Sequence, residues 1–241
     1  MSKPWASRGE WRASVSRVRL MESTGMAVLL VLLVLGVFVV PVVLPSGPAG
    51  RLALDLLLTL ILLSGIVAVA EYRRTAIALA VLSFIAIALR WSEWFVSEAL
   101  LPGLLPASAT AALLILAFAV GTTVFVSHRA VAARIVGAVV LYLLIGMLWG
   151  FAYYWLATLR PDAFAGPSDG EKGIARWVYF SFVTLTTVGY GDITAVARAA
   201  RSLAMLEALI GQLYPAIILG RLLSLPPGER SSSDGPPPGS P

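Results

Sequence analysis

Long apolar runs alternate with short polar segments between residues 26 and 224 of the chain. Most of these runs approach the ~20 residues that a helix needs to cross the hydrocarbon of a bilayer. An apolar run of this length, bounded by charged or helix-breaking residues, predicts a membrane-spanning helix. The pattern therefore predicts an all-α membrane protein with six transmembrane helices, at residues 26–44, 52–70, 75–90, 107–127, 132–159 and 198–224.

The third predicted span is short, and the distribution of basic residues favours including it. Its uncharged core runs only from Thr75 to Leu89. Basic residues prefer the cytoplasmic side of a membrane. If this segment crosses, the basic N-terminal segment 1–25 and the tail after residue 224 both lie in the cytoplasm. We predict a multi-pass protein of the plasma membrane with both termini cytoplasmic.

The overall composition supports the membrane assignment. Hydrophobic residues make up 59% of the 241 residues and charged residues only 13%, with a mean hydropathy of +0.87. A soluble domain of this size could not bury so much apolar surface. The net charge of +5 is spread between apolar runs instead of forming one basic face, so membrane lipid is the expected partner and nucleic acid is not. The chain has no cysteine, which excludes disulfides and thiolate metal sites.

The two polar ends of the chain lie outside this pattern. Segment 1–25 is predicted to be a solvated cytoplasmic tail or, alternatively, a short surface helix with an apolar edge that includes Trp5 and Trp11. Residues 225–241 are polar and rich in proline, and this composition predicts a disordered cytoplasmic tail.

A glycine-containing segment separates the last two predicted spans. Residues 186–192 read Thr-Thr-Val-Gly-Tyr-Gly-Asp and follow residues 174–185, an aromatic stretch predicted to form a helix that enters the membrane only partway. Gly189 and Gly191 can adopt the left-handed backbone angles that other residues avoid. An alternation of ordinary and left-handed residues aims successive carbonyl groups in the same direction. The segment is therefore expected to offer main-chain oxygens to a ligand.

This segment resembles the selectivity filter of the tetrameric potassium-channel superfamily. The resemblance covers the predicted pore domain, residues 132–224, with its outer helix, re-entrant pore helix, filter and inner helix. It implies a homotetramer, because each chain carries one filter segment and four are needed around an axis. It also implies passive, potassium-selective conduction, no enzyme activity and no cofactor other than the permeant ion. The filter would consist of Thr187, Val188, Gly189, Tyr190 and Gly191. Its K⁺ sites would be formed by the main-chain oxygens of Thr187, Val188, Gly189 and Tyr190 and by the Thr187 hydroxyl.

Residues around the filter are expected to support it. Thr186 precedes the filter, and Asp192 ends it. In relatives the aspartate is tied to a partner on the pore helix, sometimes a glutamate, but the corresponding residue here is Val183. We therefore predict Tyr179 or Trp177 as the hydrogen-bond donor to Asp192.

The last predicted span contains a weak point at Gly211 and Pro215. Proline has no amide hydrogen, and its ring crowds the carbonyl of the residue four positions earlier, which here is Gly211. Members of the resembled family have a glycine hinge at this place. Two interpretations follow: the helix bends here to open a cytoplasmic gate, or it carries a static kink that only serves packing.

Two polar residues lie deep in the same predicted span. Gln212 is expected to face a water-filled cavity. Glu207 falls on a different stripe of the helix and is expected to meet the pore helix or a neighbouring subunit. A charge at this depth costs roughly 2.5 kcal/mol or more, so Glu207 should be paired or protonated. It could act as a structural clamp or as a gating element.

Residues 26–127 are predicted to form a four-helix membrane domain without a voltage sensor. Voltage-gated relatives carry arginine at every third position of the fourth span, but residues 107–127 contain none. Gating by classical voltage sensing is therefore not expected. Asp55 and Arg90 are a candidate ion pair within this domain. His128 is expected to be a solvated loop residue rather than a pH sensor.

Other functions fit the sequence less well. A potassium transporter subunit would carry four imperfect filter copies on one long chain, whereas this chain has one copy. A non-selective cation channel would require an altered filter. Residues 26–127 could also bind a partner that regulates the pore, and the sequence neither favours nor excludes this role.

Overall fold

The computed structural model describes residues 24–43, 48–69, 73–92, 104–125, 131–167 and 173–223. The predictions for the basic N-terminal segment up to residue 23, for His128 and for the tail from residue 224 lie outside these ranges. Within them the chain is mostly helical, as its hydrophobic pattern predicts.

The helices follow the predicted spans to within a few residues. The first helix, α1, covers Thr24–Val39, of which Leu35–Val39 is π-helical, and Val40–Val43 continue it. The later helices are α2 (Pro48–Ala68), α3 (Arg73–Ser92), α4 (Leu104–Phe125), α5 (Val131–Leu159), α6 (Ile174–Leu185) and α7 (Arg198–Leu223).

Three helices in the described ranges are long and apolar enough to cross a membrane: Ala107–Phe125, Arg134–Leu159 and Arg198–Arg221. The apolar stretches of α1, α2, α3 and α6 are shorter. The length and composition of these helices support the assignment of the chain to the membrane proteins.

Helix α4 lies among the first helices and packs against α2, α3 and α5. Its residues Ala112, Leu113, Leu116 and Val120 have no exposed surface. Tight packing of such side chains holds helices together where lipid removes the usual hydrophobic driving force. The first helices thus pack against α5 through α4.

Asp55 of α2 and Arg90 of α3 form the ion pair that the sequence suggested. The Arg90 Nε contacts Asp55 Oδ1, and the Asp55 side chain is almost fully buried. Next to it, Trp91 Nε1 donates a hydrogen bond to Thr59 Oγ1 over 3.5 Å. The pair compensates two charges that would be costly to bury alone.

Helix α6 packs against α5 at two glycines that permit a close approach. A β-carbon on Gly146 would lie 2.6 Å from Phe182 Cζ, and one on Gly150 would lie 2.9 Å from the Cα of Val178. The space that side chains would fill is thus taken by α6. This contact fixes the helix that leads into the filter.

A small β-ladder connects the loop before α6 with the chain after the filter. Strand β1 (Phe164–Ala165) pairs antiparallel with β2 (Thr194–Ala195). The hydrophobic pattern of the sequence does not predict this ladder. The physical reason is that a two-residue strand has no periodicity to read, and its partner lies about thirty residues further along the chain.

Candidate functional site

The backbone φ angles of the predicted filter alternate between positive and negative values. Thr187, Gly189 and Gly191 have positive values of 58°, 58° and 80°, whereas Val188 and Tyr190 do not. A positive φ is uncommon for a residue other than glycine, so Thr187 adopts an unfavourable conformation. This alternation is the one that orients successive carbonyl groups in the same direction.

The amide groups of the filter are bound by the end of α6. The Val188 and Gly189 amides donate to the carbonyl of Val183, at 3.0 and 3.2 Å. The Thr187 amide donates to the carbonyl of Thr184, at 2.9 Å, and the Thr186 amide to that of Phe182. These bonds satisfy carbonyls that the last turn of a helix leaves without partners. They also hold the filter amides toward α6, while the carbonyls of 187–190 accept no hydrogen bond within the described ranges.

A hydroxyl and an amide side chain form hydrogen bonds at the N-terminal end of the predicted filter. Thr186 Oγ1 donates to the Phe182 carbonyl over 2.6 Å, which secures the junction between α6 and the filter. Gln212 Nε2 donates to Thr187 Oγ1 over 3.3 Å. Gln212 is exposed in the single chain, and its amide lies beside the first filter residue rather than in open space.

At the C-terminal end of the predicted filter, Tyr179 is the partner of Asp192. The Tyr179 hydroxyl donates to Asp192 Oδ2 over 2.8 Å. Trp177, the other donor that the sequence suggested, is buried among the rings of Phe164 and Phe180 instead, with ring centroids 4.7 and 6.5 Å away. The aspartate is therefore held to α6 through the tyrosine.

Gly211 is in close contact with the end of α6. A β-carbon at this position would overlap the carbonyl oxygen of Leu185 and lie 2.7 Å from its carbonyl carbon. Pro215 lies one turn later and is exposed, and α7 continues as one helix from Arg198 to Leu223. The structure therefore gives Gly211 a packing function. Bending of the helix at Pro215 stays a prediction.

Glu207 is fully buried between α5, α6 and α7. Its Oε2 accepts a hydrogen bond from the Tyr153 hydroxyl over 2.6 Å, and its Oε1 lies 2.5 Å from Ser181 Oγ. Ser181 belongs to α6, the predicted pore helix, which was one of the two partners that the sequence suggested. Sequence reasoning missed both Tyr153 and Ser181. The only feature of the sequence that could have pointed to these two residues is their position as polar residues in otherwise apolar helices.

Comparisons with known proteins point to the same part of the chain. Residues 112–225 match a family model described as ion channel. Two proteins called LctB are similar, one from Bacillus caldotenax (34% identical) and one from Geobacillus stearothermophilus (48%), each over 82 residues that cover 31% of this chain and 60% of the relative. Two pore potassium channel c of Oryza sativa subsp. japonica is 36% identical over 84 residues, 35% of this chain and 18% of that protein.

These alignments span less than two thirds of each relative. No solved structure matches the chain. The family match includes α5, α6, the filter and α7, the elements that build the site. Together with the apolar helices, the comparisons support an ion channel in a membrane.

Proposed function

We propose that the chain is one subunit of a homotetrameric, potassium-selective channel of the plasma membrane. It conducts K⁺ passively down its electrochemical gradient and carries out no enzymatic reaction. The observation that supports this most directly is the alternation of positive φ at Thr187, Gly189 and Gly191 within the sequence Thr-Thr-Val-Gly-Tyr-Gly-Asp. A potassium channel among the similar proteins points in the same direction.

The proposed ion sites consist of main-chain oxygens. Carbonyls of Thr187, Val188, Gly189 and Tyr190, with the Thr187 hydroxyl, would replace the water around a dehydrated K⁺ ion. The amides of this segment are held by α6, which supports carbonyls directed to the opposite side. No cofactor is required besides the permeant ion.

Exposed polar side chains in and beside the predicted filter support the assembly of four copies. Thr187 and Gln212 are exposed in the single chain, and neither could face lipid without an energetic cost. Val188 and Tyr190 are 52% and 72% exposed, although both flank the filter. Neighbouring subunits would cover these side chains and enclose a water-filled pore. Apolar side chains elsewhere, such as Phe118 of α4, would contact lipid.

In this proposal α1 to α5 and α7 each cross the membrane, giving six spans with both termini in the cytoplasm, and α6 is the re-entrant pore helix. Helix α4 carries no arginine, so the opening stimulus is not classical voltage sensing. The inner helix α7 would open the pore by bending near Pro215.

Purified protein in planar bilayers tests the proposal. With unequal K⁺ concentrations on the two sides, balanced by Na⁺, a potassium-selective pore has a reversal potential close to the K⁺ equilibrium potential. Gly189→Ala should abolish this selectivity, because alanine tolerates a positive φ poorly. Gly220→Ala is the matched control, since Gly220 has ordinary φ and open space around its Cα. Equal permeation of Na⁺ and K⁺ by the wild type, or a monomer in lipid by native mass spectrometry, would contradict the proposal.

A further inference from the structure

The buried oxygens around Glu207 define what we term the Glu207 cluster: Glu207, Tyr153, Ser181 and the carbonyl of Gly146. Three short oxygen–oxygen distances connect them. The Tyr153 hydroxyl lies 2.6 Å from Glu207 Oε2, and Ser181 Oγ lies 2.5 Å from Glu207 Oε1. Ser181 Oγ also lies 2.7 Å from the Gly146 carbonyl oxygen. All three distances are in the range of O–H···O hydrogen bonds.

Counting hydrogens distinguishes the two protonation states of the carboxyl. Tyr153 and Ser181 each supply one hydroxyl hydrogen, and a carbonyl or carboxylate supplies none. An ionised Glu207 would therefore leave two hydrogens for three contacts. Ser181 could then donate to Glu207 or to Gly146, and the other contact would bring two buried lone pairs together. A protonated Glu207 supplies the third hydrogen and satisfies all three.

We propose that Glu207 is a neutral carboxylic acid whose Oε1 hydrogen is donated to Ser181, so that Ser181 donates to Gly146 and Tyr153 donates to Glu207 Oε2. One proton thereby completes a hydrogen-bond chain that joins the inner helix α7, the pore helix α6 and the outer helix α5.

The surroundings of the carboxyl agree with a neutral state. The titratable groups that face it are Tyr153 and Tyr142 of α5, and the pore helix presents Ser181. Among the described residues, Glu207 forms no ion pair with a basic side chain. An unpaired charge this far from water would carry a large energetic cost. Protonation removes that cost.

This cluster gives Glu207 a positioning function in the pore, and that function depends on the proposed channel activity. Ser181 lies two residues before Val183, whose carbonyl binds the amides of Val188 and Gly189. Fixing Ser181 therefore fixes the last turn of α6, to which the filter is attached. Glu207 acts on the filter through the pore helix rather than by contact with the ion.

Infrared spectroscopy of the purified full chain tests the protonation state directly. At neutral pH exposed carboxyl groups are ionised. A neutral Glu207 should give a carboxylic acid C=O stretching band that shifts in D₂O and is lost in Glu207→Gln. Asp162→Asn, which alters an exposed acidic residue, should leave the band unchanged. Absence of such a band in the wild type, or its persistence in Glu207→Gln, would overturn the proposal.

Thermal unfolding at several pH values provides a second test. Glutamine keeps a donor toward Ser181 and an acceptor toward Tyr153, so Glu207→Gln should unfold at the same temperature as the wild type at or below about pH 4, where the carboxyl is protonated in the unfolded chain as well. Glu207→Leu should unfold at a lower temperature. As the pH rises above about 4, the wild type should lose stability relative to Glu207→Gln, because its carboxyl is protonated in the folded protein and ionises on unfolding. A Glu207→Gln variant less stable than the wild type at neutral pH would indicate an ionised carboxylate and overturn the proposal.

Neither measurement requires an ionic current. A protein that shows the acid band but conducts no K⁺ would contradict the proposed function and leave the neutral Glu207 intact. A potassium-selective channel without the acid band would support the proposed function and contradict the neutral Glu207.

Discussion

Gly211 of α7 lies so close to Leu185, the last residue of α6, that any β-carbon would overlap the Leu185 carbonyl oxygen. The contact occurs immediately before the filter. Tyr142 adds to it, with its hydroxyl 3.5 Å from the same oxygen. The glycine therefore has a packing function that does not depend on any bending of α7.

Substitution of Gly211 should destabilise the protein through this contact. Overpacking typically costs about 1–3 kcal/mol, and Gly211→Ala should reach the upper part of that range because the clash is with backbone, which cannot rotate away. We expect a lower unfolding temperature and less assembled protein. Gly220→Ala, on the same helix but with open space around it, is the control. Equal stability of the two variants would disprove the packing function.

Pro215 permits a separate test of bending in α7. Pro215→Ala restores an amide hydrogen and removes the ring that crowds the Gly211 carbonyl, so the helix becomes harder to bend. The exposed position of Pro215 lets this change be made without disturbing the contact with Leu185. We expect normal assembly and a lower open probability in single-channel recordings. An unchanged open probability would favour a static kink.

The sequence predicted the helices well because their signal is local. Helix α6 occupies residues 174–185 in both the prediction and the structure, since Gly173 precedes it and two threonines follow it. The pairing of Phe164–Ala165 with Thr194–Ala195 was missed, because nothing in either segment alone identifies a distant partner.

The site was predictable where the residue type alone determines the backbone. Gly189 and Gly191 have the left-handed angles expected of them. Thr187 also has a positive φ, which its residue type argues against and which the hydrogen bond of its amide to Thr184 stabilises. The choice between hinge and contact at Gly211 could not be made from sequence, because both use a glycine at the same position.

The hydrogen bond from Tyr179 to Asp192 should stabilise the outer end of the filter. Tyr179→Phe removes the donor and leaves the carboxylate without this bond, and a hydrogen bond to a charged group contributes about 1.5–3 kcal/mol. Because the Tyr179 hydroxyl and the Asp192 carboxylate are exposed, we expect a loss of stability near or below the lower limit of this range. Recordings should show shorter openings or faster decay of the current.

Tyr154→Phe is the control for that experiment, since the Tyr154 hydroxyl makes no hydrogen bond in the part of the chain that the structure describes. If Tyr179→Phe and Tyr154→Phe had the same opening lifetimes as the wild type, the bond would have no function in gating at the outer mouth.

Gly166, which follows strand β1, packs against the chain at the end of the predicted filter. It has a φ of 145°, and a β-carbon there would overlap the carbonyl oxygen of Asp192 and lie 3.1 Å from Ile193 Cα. Gly166→Ala should therefore displace the chain after the filter and reduce both assembly and potassium selectivity.

The matched control is Gly173→Ala: Gly173 also has a positive φ, of 111°, but nothing lies within 4 Å of its β-position. Both variants have the conformational penalty, so a selectivity loss confined to Gly166→Ala would identify the contact with Asp192 as the cause. Equal losses would mean that backbone strain alone is responsible.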